Sequence, residues 1–169
     1  MALTTIRKAG LATGVGGKVL QHVFAQKTAT GTGLTTTSTS MVSTGHSVTI
    51  TPTASNSIII GYLTYNYWFS GGSTSDYSHA TIYRGSTNLA SLASSVASTP
   101  ANNTVQLQLN PSRNPLASYN SMTMFDFKDA PATTSATTYT LYCMTSSGST
   151  MYVNWDGQLA TMSVMEISQ

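Results

Sequence analysis

Few side chains in this sequence could do chemistry. There are three histidines (His22, His46, His79), five carboxylates (Asp76, Asp126, Asp129, Asp156, Glu166) and a single cysteine, Cys143. A nucleophilic Ser/His/Asp set needs three groups brought into one geometry. With 24 serines some combination can always be drawn, and neither GxSxG nor HExxH singles one out. Asp76 and His79 lie in a Gly/Ser-rich stretch, and His22 sits alone in an alternating run, where a packed or hydrogen-bonded histidine is the ordinary outcome. A carboxylate pair for glycoside hydrolysis would have to come from the same five acids. The Asp126/Asp129 spacing is that of a strand end, and Glu166 stands beside Met165 in the last apolar run. No loop has the oxygen-ligand spacing of a calcium site.

Two motifs come close and fail. Gly14-Val15-Gly16-Gly17-Lys18 looks like a phosphate loop, but the pattern needs glycine where Ala12 stands and a hydroxyl where Val19 stands. Asn102-Asn103-Thr104 is a formal glycosylation sequon, meaningful only on a eukaryotic secretory route. Cys143 has no partner for a disulfide or a zinc site. It alternates with Leu141 and Tyr139, so it reads as a small buried hydrophobe. The expectation is a protein that is not an enzyme and carries no metal or cofactor.

The surrounding composition is that of a β protein. Of 169 residues, 40% are hydrophobic but only 7% charged, and 29 Thr with 24 Ser supply the polarity instead. Disorder needs low hydrophobicity with high net charge, so it is excluded. Thr, Val, Ile and Tyr favour strands over long helices. The longest apolar run, Ile58 to Leu63, is far short of the roughly 20 residues of a membrane-spanning helix, and no secretory signal is visible near Arg7 and Lys8. Synthesis in a reducing cytoplasm fits.

Charge is uneven. Arg7, Lys8, Lys18 and Lys27 give the first 27 residues +4, while the remainder holds three bases and five acids, net −2. Four scattered charges without interleaved aromatics are too weak a footprint for nucleic acid, and a basic arm docking on a protein is the better reading. Residues 1–17, punctuated by Gly10, Gly14, Gly16 and Gly17, have neither helical nor strand periodicity. They are expected to form an extended docking arm, with Leu3, Ile6 and Leu11 filling small apolar pockets and Arg7 and Lys8 meeting acidic groups.

Residues 18–169 are expected to form one domain. Nine strand candidates follow one another: Lys18–Ala25, Val48–Ile50, Ile58–Phe69, His79–Arg84, Val105–Leu109, Met122–Phe127, Tyr139–Met144, Met151–Trp155 and Met162–Ile167. Gly, Pro, Asn or Ser/Thr clusters separate them. An antiparallel jelly-roll-like sandwich of about eight strands is the leading architecture. Leu89–Ser98 is the one candidate helix and reads equally as a loop. Ile58–Phe69 is apolar on both faces, whereas one face of a simple sandwich strand meets water. A subunit interface would cover the second face, and so would a loop lying over a central strand. The row Ile59, Leu63, Tyr65, Tyr67 and Phe69 is expected to be that interface.

Several segments resemble a family. Thr44-Gly45-His46-Ser47-Val48-Thr49-Ile50-Thr51-Pro52, Asn56-Ser57-Ile58-Ile59-Ile60, Tyr83-Arg84-Gly85-Ser86-Thr87, Asp129-Ala130-Pro131-Ala132-Thr133-Thr134-Ser135-Ala136-Thr137-Thr138-Tyr139 and Val164-Met165-Glu166-Ile167-Ser168-Gln169 look like β-rich virion-surface domains of tailed bacteriophages, especially of aquatic and cyanobacterial hosts. The resemblance covers roughly residues 18–169. It implies a homotrimeric, non-catalytic structural protein on the outer surface of the particle, made in the host cytoplasm. Its partners would be copies of itself and the major capsid protein or another virion protein, with neither nucleic acid nor membrane insertion. Two roles are open. One is a capsid decoration or cement protein docked through the arm. The other is a tail-fibre tip showing loops such as Ser70–Ser78 and Leu89–Asn103 to a host receptor. A fibre needs a long stalk before its tip, so the short arm favours decoration.

Overall fold

One long strand organises the larger of two sheets in the computed structural model, which describes residues 17–28, 33–70, 78–89, 105–107, 120–145, 149–154 and 157–169. Among them are β1 (Val19–Thr28), β2 (Leu34–Thr36), β3 (Val42–Ile50), β4 (Ile58–Ser70), β5 (Ser78–Arg84), β6 (Thr87–Asn88), β7 (Val105–Leu107), β8 (Asn120–Asp129), β9 (Thr137–Thr145), β10 (Thr150–Val153) and β11 (Leu159–Ile167). All nine expected strands are present, and the short β2 and β6 are additional. The candidate helix lies outside the described residues except for Leu89.

The organising strand is β4. One of its edges pairs with β8 from Ile59 to Trp68. Its other edge is shared, by β11 against Ile58–Thr64 and by β10 against Tyr67–Ser70. β1 extends the sheet beyond β11, and β2 beyond β10. The second sheet runs β3-β9-β5-β6, with β7 also on β5. Every pairing is antiparallel. The protein is therefore an all-β antiparallel sandwich, jelly-roll-like as expected.

The shared edge of β4 leaves a gap between its two partners, and unpaired backbone groups in a buried gap are costly. Asn154 fills it. Its backbone N–H donates to Asn66 O at 2.8 Å, and its Oδ1 accepts from Asn66 N–H at 3.1 Å. Reaching both requires a positive φ of 52°, which asparagine tolerates better than most residues.

Between the sheets, the inward positions of alternating strands meet. Ile59, Leu63, Tyr65 and Tyr67 of β4, with Met162 and Val164 of β11, face Val48, Ile50, Ile82, Tyr139, Leu141 and Cys143 of the other sheet. Tyr139, Leu141 and Cys143 share one buried face, as their alternation predicts. The side chains of β7 and of Phe69 lie outside the described set.

Gly61 occupies the inward row of β4 opposite Phe127. A Cβ there would overlap the Phe127 ring. The missing side chain lets that ring lie over β4 and reach Tyr139, at 5.1 Å between centroids.

Candidate interaction surface

Two of the groups with chemical potential, Glu166 and Asp129, are held in structural contacts. Glu166 ends the inward row of β11 with no surface exposed. Its Oε1 accepts from Ser57 Oγ (2.6 Å), Thr53 N–H (2.7 Å) and Thr53 Oγ1 (2.8 Å), and its Oε2 from Gln21 Nε2 (2.6 Å). Burial pushes this carboxyl upward, but the bonds from Ser57, Gln21 and Thr53 together outweigh it and bring the pKa down to about 2. The result ties the 51–57 connection to the last strand and to β1.

Asp129 is likewise engaged. Arg84 Nη1 donates to both of its oxygens, at 2.9 and 3.0 Å, and Tyr139 O–H donates to Oδ2 at 2.8 Å. Burial, then the bond to Asp129, pushes the Tyr139 hydroxyl above its ordinary range. The contact joins the end of β8 in one sheet to β5 and β9 in the other. Glu166 and Asp129 both pair across Ile59, so their backbones stand two strand spacings apart, roughly 10 Å, with an isoleucine between them. A carboxylate pair acting on a substrate needs an open space there. This pair has a packed core residue.

His46 is buried in β3, its pKa lowered by burial and by nearby Lys27, against a bond to the Thr161 backbone. His79 is buried and shifted down for the first of these reasons. Cys143 is buried and its thiol is pushed up to about 12 by burial, which makes it inert. His22 and Asp126 are exposed on separate strands. Asp76, Asp156 and the sequon lie outside the described residues. Among the described residues no cluster of His, Cys, Asp or Glu could hold a metal ion.

The proposed interface row needs correcting. Ile59, Leu63, Tyr65 and Tyr67 are 0–4% exposed and belong to the chain's own core. With two apolar rows on β4, alternation alone does not say which row turns inward. The other row, Ile58, Ile60, Tyr62, Thr64, Asn66 and Trp68, is the one that faces out. The arm residues Leu3, Ile6, Arg7, Lys8 and Leu11 lie outside the described residues. Where the arm would join the sandwich, Lys18 N–H donates to Ser168 Oγ (3.0 Å) and Ser168 N–H to Lys18 O (2.9 Å).

Neither a protein-family model nor a curated protein matches the chain. Among solved structures it is similar to the VP2 subviral particle of infectious bursal disease virus, at 14% identity and a TM-score of 0.40, over 89% of this chain and 38% of that one. The Gx strain of the same virus gives 16% identity, a TM-score of 0.38 and the same coverage. The chain thus spans well under half the length of these proteins.

The two outer faces of the sandwich differ in chemistry. On the six-stranded sheet, the registers set Phe24, Ser163, Tyr62 and Asp126 in one row, and His22, Met165, Ile60 and Lys128 in the next. Phe24 is 56% exposed, Tyr62 46% and Met124 72%, and Leu20 and Leu159 are exposed on the same sheet. Trp68 and Tyr152 stack at 3.9 Å farther along it. The opposite sheet turns out Ser43, Ser47, Thr49, Thr138 and Thr140, with Thr49 and Thr138 hydroxyls bonded at 2.8 Å. Its outward aromatics, Tyr83 and Tyr142, stack on each other at 3.9 Å. The six-stranded sheet thus exposes large apolar side chains, whereas the described outward positions of β3 and β9 are mainly Ser and Thr.

Proposed function

We propose that this chain is a non-enzymatic structural protein of a tailed-bacteriophage virion, a homotrimeric capsid decoration protein docked on the shell through residues 1–17. The observation that carries the reading is the contrast between the outer faces. A sandwich with an uncovered apolar sheet on one side and a Ser/Thr surface on the other suits an assembly part that packs inward and presents an inert exterior. Low charge suits it too, because like-charge repulsion between many crowded copies is costly. The carboxylates Glu166 and Asp129 serve as internal ties.

In this reading the arm adds extended backbone to a neighbour's sheet edge. Leu3, Ile6 and Leu11 enter apolar pockets, and Arg7 and Lys8 meet acidic groups at the rim, where charge mainly sets association rate and salt sensitivity. Lys18, the first residue after the proposed arm, is hydrogen-bonded to Ser168.

Co-sedimentation with undecorated particles tests the proposal, using the full chain and a variant lacking residues 2–16. Binding by the full chain and loss of binding by a still-assembled variant are expected. Undiminished binding by the variant would move the anchor to the sandwich. Attachment of the full chain to host cells but not to shells would replace decoration with the fibre-tip role.

A further inference from the structure

We infer that copies of this chain meet one another through the outer face of the six-stranded sheet, centred on Phe24, Tyr62 and Met124. This deepens the assembly reading above and rests on it, but does not depend on where in the virion the chain sits. Three features of the face point to a second copy as its occupant.

The first is area. An aromatic side chain offers roughly 150–250 Å², so the exposures of Phe24, Tyr62 and Met124, with Leu20 and Leu159 farther along the same sheet, leave several hundred Å² of apolar surface on one face. That is of the order of the roughly 800 Å² per partner in a standard interface, and near the upper end of what a lone soluble domain exposes.

The second is charge. Outward positions on the described strands of this sheet carry one acid and one base, Asp126 and Lys128, both exposed. An anionic partner such as nucleic acid calls for a surplus of Lys and Arg, which the face lacks. A face with one charge of each sign complements itself. They sit two residues apart on β8, opposite Tyr62 and Ile60, so Asp126 of one copy can meet Lys128 of another at the rim of the apolar patch.

The third is arrangement. The apolar side chains come from β1, β4 and β8, with the small Ser163 lying between Phe24 and Tyr62. The row Phe24, Ser163, Tyr62 and Asp126 crosses four strands, so a neighbouring copy would meet the side chains of the whole face rather than one sheet edge.

Light scattering on purified full chain, Phe24→Ser/Met124→Ser, Ser163→Arg and Thr49→Arg tests this, with circular dichroism and melting temperature as controls for folding. The double variant trims the patch. Ser163→Arg sets a charge at its centre while removing no apolar group, and Thr49→Arg does the same on the opposite sheet. The wild type and Thr49→Arg are expected at about three times 17.8 kDa, and the two face variants, still folded, at 17.8 kDa. Ser163→Arg remaining fully assembled would overturn the face assignment and leave the assembly reading standing. Dissociation by Thr49→Arg alone would overturn it in favour of the other sheet. A wild type that is monomeric at every concentration would overturn both.

Discussion

Ser57 Oγ donates a 2.6 Å hydrogen bond to Oε1 of Glu166, across 109 residues of sequence. With Thr53 and Gln21 it encloses a carboxylate that has no exposed surface. The last strand, the 51–57 connection and the first strand are thereby tied at one end of the sandwich. A buried acceptor that holds several donors is worth more than any one of its bonds, because removing it leaves all of them unsatisfied.

Acid should loosen this tie. Glu166 has a folded pKa of about 2 against an ordinary 4.5, so folding favours the ionised form. Its contribution is complete above about pH 4.5 and fades as the pH falls toward 2. Thermal melting between pH 6 and 2.5 should show a loss in the wild type that Glu166→Gln lacks. At pH 7 the same substitution should cost about 1–3 kcal/mol through unsatisfied donors. Parallel pH curves for the two proteins would count against the tie.

Leu141→Ala should open a cavity in the middle of the core, since Leu141 has no exposed surface and lies between Tyr139 and Cys143 on the inward row of β9. A loss of about 2–5 kcal/mol in urea unfolding is expected. A change below about 0.5 kcal/mol would contradict the packing.

Gly61→Ala places a methyl group into the Phe127 ring. Overpacking of this kind costs about 1–3 kcal/mol, and Phe127→Leu in the same chain should recover part of it. If Gly61→Ala alone is neutral, Phe127 does not lie over β4.

Tyr139→Phe removes the 2.8 Å bond to Asp129 and leaves the Arg84 contact in place. Hydrogen bonds to charged groups contribute about 1.5–3 kcal/mol, so a loss in that range is expected by chemical denaturation. Because Arg84 is partly exposed, Arg84→Ala should cost less.

The strands were legible in the sequence because alternation and turn residues are local signals, and β1, β5, β9 and β11 fall where those signals place them. The inward side of β4 was not legible. Both of its rows are apolar, and the clue that decides between them, Gly61 accommodating Phe127, depends on a pairing 66 residues away. Glu166 was visible only as an acid in an apolar run, since its donors come from residues 53–57 and 21. His46 was hidden as well. It lies on the inward row of β3 with Thr44, Val48 and Ile50, and the polar residues around it hid the first half of that strand. The outer apolar face needed the two-dimensional register, because Phe24, Tyr62 and Met124 are neighbours only across strands.

Immunogold labelling of intact particles tests the central claim most directly. Label spread over the head, at many copies per particle, is the result expected of a decoration protein. Label confined to the tail, or absent from purified particles, would contradict it.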